Sequence, residues 1–292
     1  MTQQTAEQLI ADLRALGLDQ CKPAPLIVHS GFRSLGPVAG GPATAVNALL
    51  SAVGDEATIL MPGFTTQLTD PYVWPVPPSP ATRAHMLNEI PAFDPVTSPP
   101  HKMGAIVSSF WRRDDVVRSA HPVTSWLALG PRARELTDDH DLGDPEGIHG
   151  PVGRVFESDG WVLLLGVDHD ANTTIHLAES LLDMPHLRIL PDRYPVVDDR
   201  GKRVWRTITK TTKCSDGFVK LSPVLEAAGL GRRGLVGQAT AQLFRSRDIV
   251  RIASDLLGRD PAGLLCDDPE CVHCPSSRAS LRDWKPLKSL AM

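Results

Sequence analysis

Leu9, Leu13 and Leu16 recur at helical intervals and Gly17 closes the run, so the chain opens with a predicted amphipathic helix. Thr5 and Gln8 stand at the spacing of a capping box just ahead of it. The period then shortens. Leu26 to Val28 is a brief apolar run, followed by a glycine-rich turn from Gly31 to Gly41. Pro42 suits a first helical turn, and Val46, Leu49, Leu50 and Val53 form one apolar face that ends at Gly54. A second buried strand is expected over Thr58 to Met61. Strand, loop, helix and strand at these lengths make the βαβ unit of a largely parallel sheet.

Residues 62 to 101 break the pattern with a dense share of the 26 prolines. Proline lacks the backbone donor, so this stretch cannot be regular throughout; it reads as a lid or binding loop. Gly104 to Arg112 is predicted helical. A third strand is expected over Trp161 to Val167, where the unbroken apolar run Trp161 to Leu165 suits a strand covered on both faces. Asp168 to Thr174 supplies capping residues for a helix running through His176 to about Asp183. Arg188 to Trp205 alternates turns and short strands, and Val236 to Leu257 reads as one or two helices. Without repeats or a linker, residues 1 to 292 are expected to form a single domain.

Composition narrows the function more than the fold. With 42% hydrophobic and 22% charged residues, 292 residues can bury a full core. The net charge of -4 comes without a basic block, which argues against nucleic acid or an anionic membrane as partner. Neither a signal peptide nor a membrane-length apolar run is apparent, so a cytoplasmic location is expected. The five cysteines are an odd number crowded toward one end, which suggests a metal site in a reducing compartment.

Three places could carry chemistry. The turn His29, Ser30, Gly31, Phe32, Arg33, Ser34, Leu35, Gly36 to Gly40 and Gly41 joins a strand to a helix N-terminus, where small residues let backbone N-H groups approach a phosphate. It is neither a Walker loop nor a GxGxxG turn. Arg33 to Val38 half resembles the coenzyme loop of GNAT acetyltransferases, but Val38 breaks that pattern. His176 and Glu179, three apart on a predicted helix, share a face, and a carboxylate there can fix the imidazole tautomer and raise its basicity. Cys266, Cys271 and Cys274 have metal-ligand spacing, with Cys214 or His273 as the fourth ligand of a zinc site. Read as a nucleophile instead, Cys214 has only Lys213 as a charged neighbour. The α/β serine hydrolase turn is missing, since Val28 stands two residues before Ser30.

Several segments, in order along the chain, resemble the aminoglycoside 3-N-acetyltransferase family. They are Leu26 to Ser30 with Ser34 to Gly36 and Gly40-Gly41, Met61-Pro62, Thr69 to Pro71, Ile90 to Pro95, Met103 to Ala105, Arg118 to Pro122, Leu163 to Gly166 and His176 to Glu179. The resemblance implies an α/β fold distinct from GNAT enzymes, a mixed central sheet flanked by helices. It also implies acetyl-CoA as donor and a 2-deoxystreptamine aminoglycoside as acceptor. The turn from Ser30 to Gly41, with Arg118, Ser119, His121 and Pro122, would hold the coenzyme. His176 would be the general base, Glu179 its orienting carboxylate, and Asp70 would face the antibiotic. A polycationic acceptor also favours an acidic groove, for which Asp70, Glu89, Asp94, Asp168, Asp170 and Glu179 are candidates, with Phe64 beside them.

The cysteines resemble those of the branch typified by the apramycin-modifying enzyme, as do Arg245 to Asp248 and Gly258 to Pro261, which implies a structural zinc joining the tail, residues 261 to 292, to the body. Two departures stand out: a longer loop from Thr65 to Pro91, and Thr211-Thr212-Lys213 in place of an acidic residue. A lysine there would repel a polycation, which argues against apramycin itself. An acetyltransferase acting on another amine and a zinc-stabilised binding module without catalysis are the competing readings. A monomer or homodimer is expected, serving antibiotic resistance.

Overall fold

Leu26, Ile27 and Val28 alternate between two apolar layers in the computed structural model, which describes residues 3–74, 76–184, 186–187, 189–211 and 214–281. Pro75, Arg188, Thr212, Lys213 and residues 282–292 of the tail, which entered the expectations above, lie outside the described residues. Nine strands are described: β1 (Leu26–Ser30), β2 (Ile59–Pro62), β3 (Val117–Arg118), β4 (Trp126–Leu129), β5 (Trp161–Leu165), β6 (Ile189–Val197), β7 (Arg203–Thr211), β8 (Arg232–Val236) and β9 (Ala239–Arg245). Seven make one sheet in the order β3-β4-β2-β1-β5-β9-β8, and β6 with β7 makes a separate two-stranded ribbon.

Only the centre of the sheet is parallel. β1 pairs in parallel with β2 and β5, while β4 and β9 run antiparallel on either side. From β1 the chain passes to β2 on one side, and after β4 it crosses back past β2 and β1 to β5 on the other, so the carboxyl ends of the parallel strands β1, β2 and β5 open onto a topological switch point, where α/β sheets bind ligands.

Both faces are covered. On one, helices Ala6–Leu16, Gly41–Val53 and Gly104–Trp111 pack on Leu26, Val28, Leu163 and Leu165; on the other, helices Pro151–Glu157, Ile175–Leu181 and Ser246–Arg259 pack on Ile27, Val162 and Leu164. That explains the continuous apolar strands, since every second side chain faces a different layer; each such Leu or Val buried contributes roughly 1.5–3 kcal/mol. The predicted capping box forms, with the Thr5 side chain accepting from Gln8 N and the Gln8 side chain accepting from Thr5 N. Among the described residues no helix is long and apolar enough to cross a membrane.

Two expectations need correction. Val236 to Leu257 is helical only from Ser246; before that, β8 turns at Gly237 (φ +58°) into β9, where a period of two places Ala241 and Leu243 in one apolar layer and Phe244 in the other. Arg188 to Trp205 is not a set of short strands, because β6 and β7 are nine-residue partners in one ribbon. The proline-rich loop contains a helix, Pro80–Glu89, whose N-cap Ser79 accepts from Thr82 N and whose Pro80 occupies a first-turn position needing no donor.

Candidate active site

At the switch point lies a cavity of about 550 Å³. His29 and Ser30 reach it from the end of β1, Phe64 from just beyond β2, and Val167 and Asp170 from the loop after β5. His176 lines the same cavity from the helix Ile175–Leu181. The expected base and the start of the expected coenzyme turn therefore share one enclosure.

His176 Nδ1 lies 2.6 Å from Glu179 Oε2, and both residues are buried. A carboxylate only accepts, so the Nδ1 hydrogen donates to it, and Nε2 is the ring nitrogen that Glu179 leaves unengaged. The Phe218 ring, fully buried, stands edge-on to the imidazole with centroids 4.8 Å apart and fixes its plane.

Close glycine contacts shape the floor. A Cβ on Gly31 would sit 2.7 Å from the Gly166 carbonyl oxygen, so the turns after β1 and β5 meet backbone to backbone. The rest of the first turn leads away from the cavity. Leu35 enters the core, Phe32 packs beside it, Arg33 is exposed and the Ser34 hydroxyl donates to the Gly166 carbonyl at 3.0 Å. Gly36 ends a short 3-10 turn, and Gly40 with Gly41 opens the helix Gly41–Val53 without a side-chain cap.

Of the segment Arg118 to Pro122, only His121 lines the cavity. Arg118 is committed to protein acceptors: Nε donates to Ser125 Oγ at 2.9 Å, and the terminal nitrogens donate to the carbonyls of Gly63 and Ser98. Ser119 Oγ accepts from Trp126 N at 2.8 Å and meets His140 Nδ1 at 2.9 Å, while the Pro122 carbonyl accepts from the Thr65 hydroxyl. These residues tie the strand edge to the proline-rich loop.

Most of the carboxylates expected to form an acidic groove do not line this cavity. Asp70 is buried in a two-pronged pair with Arg83 (2.8 and 2.6 Å), which holds its carboxyl below the usual range. It helps stitch the loop to the ribbon, together with Asp70 N to the Arg193 carbonyl and Thr69 Oγ1 to Asp192. Glu89 is exposed at the end of the loop helix, Asp94 caps its own turn through Val96 N and Thr97 N, and Asp168 accepts from His169 N and the Ser222 hydroxyl. Asp170 does line the cavity. So does buried Glu146, which sequence reasoning missed because residues 141 to 150 carry no apolar period. Tyr194 and Ile208, from the ribbon, and Lys102 also belong to the unforeseen part of the wall.

The cavity histidines His29 and His121 are uncharged. Burial, then the charge of His169, pushes His29 down to about 3; burial, then His140, pushes His121 down to about 4. His121 Nδ1 accepts from Val123 N and Thr124 N, which assigns the proton to Nε2. Unfolded histidine titrates near 6.5, so between that value and about 4 the unfolded chain binds protons that the fold excludes. Stability is therefore full above pH 6.5 and falls as pH drops toward 4, by about 1.4 kcal/mol per unit of pKa difference in each group. Urea unfolding at pH 7.5 and pH 5 checks this; equal midpoints would contradict it.

Away from the sheet, the Sγ atoms of Cys214, Cys266, Cys271 and Cys274 lie within 4.8 Å of one another. Cys214 and Cys271 are 3.7 Å apart, close to the roughly 3.8 Å edge of a tetrahedron with metal-sulfur bonds of about 2.3 Å. Two sulfurs also accept backbone N-H groups, Cys274 from Cys266 N and Cys271 from Cys274 N. The fifth thiol, Cys21, is buried in the core and pushed up to about 12 by desolvation.

Comparison with known proteins gives a consistent answer. Residues 27–258 match the family model described as aminoglycoside 3-N-acetyltransferase. Aminoglycoside N(3)-acetyltransferase IV of a Salmonella species is 38% identical over 255 residues, covering 87% of each chain. Among solved structures, a histidine-to-alanine variant of aminoglycoside acetyltransferase AAC(3)-IVa in complex with a gentamicin superposes with a TM-score of 0.80 at 36% identity, over 96% of this chain and 98% of that one. The binary complex of AAC-IIIb with CoASH gives 0.78 at 30% identity, over 88% and 97%.

Proposed function

Because the chain belongs to the aminoglycoside 3-N-acetyltransferase family, we propose that it transfers the acetyl group of acetyl-CoA to the 3-amino group of a 2-deoxystreptamine aminoglycoside, with His176 as general base. The 2.6 Å contact from His176 to Glu179, on the wall of a cavity shared with Ser30, carries this reading. A protonated sugar amine cannot attack a thioester. The ammonium first loses one proton to solvent; as the neutral amine nitrogen adds to the acetyl carbonyl carbon, His176 Nε2 takes its second proton, and the tetrahedral intermediate expels the coenzyme thiolate, which recovers that proton from His176. No covalent acetyl-enzyme is required.

Ser30 Oγ and His121 Nε2 are buried cavity-wall groups without a hydrogen-bond partner, and such preorganised donors suit the coenzyme or the oxyanion. Asp170 and Glu146 supply the carboxylates that a polycationic acceptor needs. Of the residues first expected to hold the ligands, His29, Ser30, His121, Phe64 and Asp170 line the cavity, which supports assigning the ligand contacts to them.

The four cysteines fit a zinc ion by donor type and spacing. Bound there, it supplies a structural crosslink between the segment after β7 and the tail. The transferase reading is tested with a panel of aminoglycosides and simpler amines, followed by release of the coenzyme thiol. Rapid release with 2-deoxystreptamine compounds alone is expected; turnover confined to other amines would reassign the acceptor, and no turnover would leave a binding module.

A further inference from the structure

The cysteine cluster and the catalytic dyad are neighbours. Ser215, one residue beyond Cys214, and His273, one residue before Cys274, both line the main cavity with His176. His273 also lines a narrow crevice behind the dyad, shared with Glu179, His186, Cys214 and Cys274. Its backbone is held on both sides. Cys274 N donates to Cys271 Sγ at 3.4 Å across the residue, and the His273 carbonyl accepts from Ser277 N at 3.1 Å and the Ser276 hydroxyl at 2.9 Å.

A second contact runs through Gly217. A Cβ there would fall 2.3 Å from the Leu264 carbonyl oxygen and 2.6 Å from Cys266 N, so the tail backbone presses on the turn that carries Phe218. Phe218 is the ring that stands against His176. The tail therefore reaches the surroundings of the dyad twice, at the shared cavity wall and through the turn that carries this buried aromatic.

We propose that the cysteine site is part of the catalytic cavity, and that it holds His273 in the wall as a residue that positions the acceptor. This rests on the transferase reading for the reaction itself. The glycine turn leads into the helix Gly41–Val53 on one face of the sheet, whereas Leu264, at the start of the tail, packs with the His176 helix in the layer on the opposite face. The base must touch the amine, so the wall on its side meets the acceptor rather than the coenzyme. An imidazole can donate to or accept from the hydroxyls and amines of an aminocyclitol, and Asp70, Glu89, Asp94 and Asp168 are not on this wall to do so.

The test compares His273→Ala and His273→Gln with the parent holoenzyme. Zinc content, Tm, KM for gentamicin and for acetyl-CoA, and the calorimetric Kd for gentamicin without coenzyme are measured. His273→Ala is expected to keep its zinc and its Tm while KM and Kd for gentamicin rise on the order of tenfold, the effect of one lost hydrogen bond. KM for acetyl-CoA should stay within about twofold, and glutamine should restore part of the affinity. Unchanged gentamicin binding in a zinc-loaded variant would overturn the proposal. So would loss of zinc, which would make His273 a ligand, or an equal rise in both KM values. Were the parent itself neither to bind nor to acetylate gentamicin, the transferase reading would fail; normal parent turnover with an unaltered variant defeats this inference alone.

Discussion

His176→Gln lowers kcat by on the order of 10²–10⁴-fold, the usual contribution of a positioned general base, while coenzyme affinity stays near the parent value. Glutamine is chosen because its amide N-H can still donate to Glu179, whose carboxylate lies 2.6 Å from the imidazole in a buried position. Alanine would leave that carboxylate without its partner and confuse catalysis with folding. Glu179→Gln should cost less, because it loosens the tautomer and orientation of His176 without removing the proton acceptor. Steady-state rates and coenzyme titration separate the effects. A His176→Gln enzyme with near-normal kcat would remove the base from the mechanism.

The second large effect is on stability. Cys266 is buried and its backbone N-H donates to Cys274 Sγ, so Cys266→Ser removes one of the four sulfurs proposed to hold zinc. A metal bound there would act as folding free energy, and its loss is expected to cost several kcal/mol. At about 2–4 °C per kcal/mol for a chain of this size, Tm should fall on the order of 10 °C. Calorimetry with and without chelator, alongside metal analysis, reads this directly. The parent should lose stability on chelation and the variant should not respond. An unshifted Tm in both would show that the thiols carry no structural metal.

Much of this architecture is legible in the residues because local periods and the burial of elements agree. The run from Trp161 to Leu165 is apolar throughout, and β5 is covered on both faces; Leu9, Leu13 and Leu16 mark one buried helical stripe. The hairpin β8-β9 was harder to see, since a run of small and mixed residues such as Ala239 to Gln242 has no strong period and Gly237 alone marks its turn. At the site, His176 and Glu179 could be found because they are three apart on one helix. Glu146, Tyr194 and His273 could not be found in that way. They reach the cavity from a loop, a ribbon and a tail distant along the chain, so their meeting depends on tertiary packing. Asp70 shows the opposite effect. A charge suited to a cation is taken instead by Arg83, only thirteen residues away along the loop.

Direct transfer through one imidazole is tested most plainly by mass spectrometry of both product and protein after mixing the enzyme with acetyl-CoA and gentamicin. One acetyl group on the 3-amino nitrogen, a protein of unchanged mass when acetyl-CoA is supplied alone, and almost no product from His176→Gln are the predicted results. An acetylated protein that goes on to deliver its acetyl group to the antibiotic, or a modified nitrogen at another position, would contradict the account.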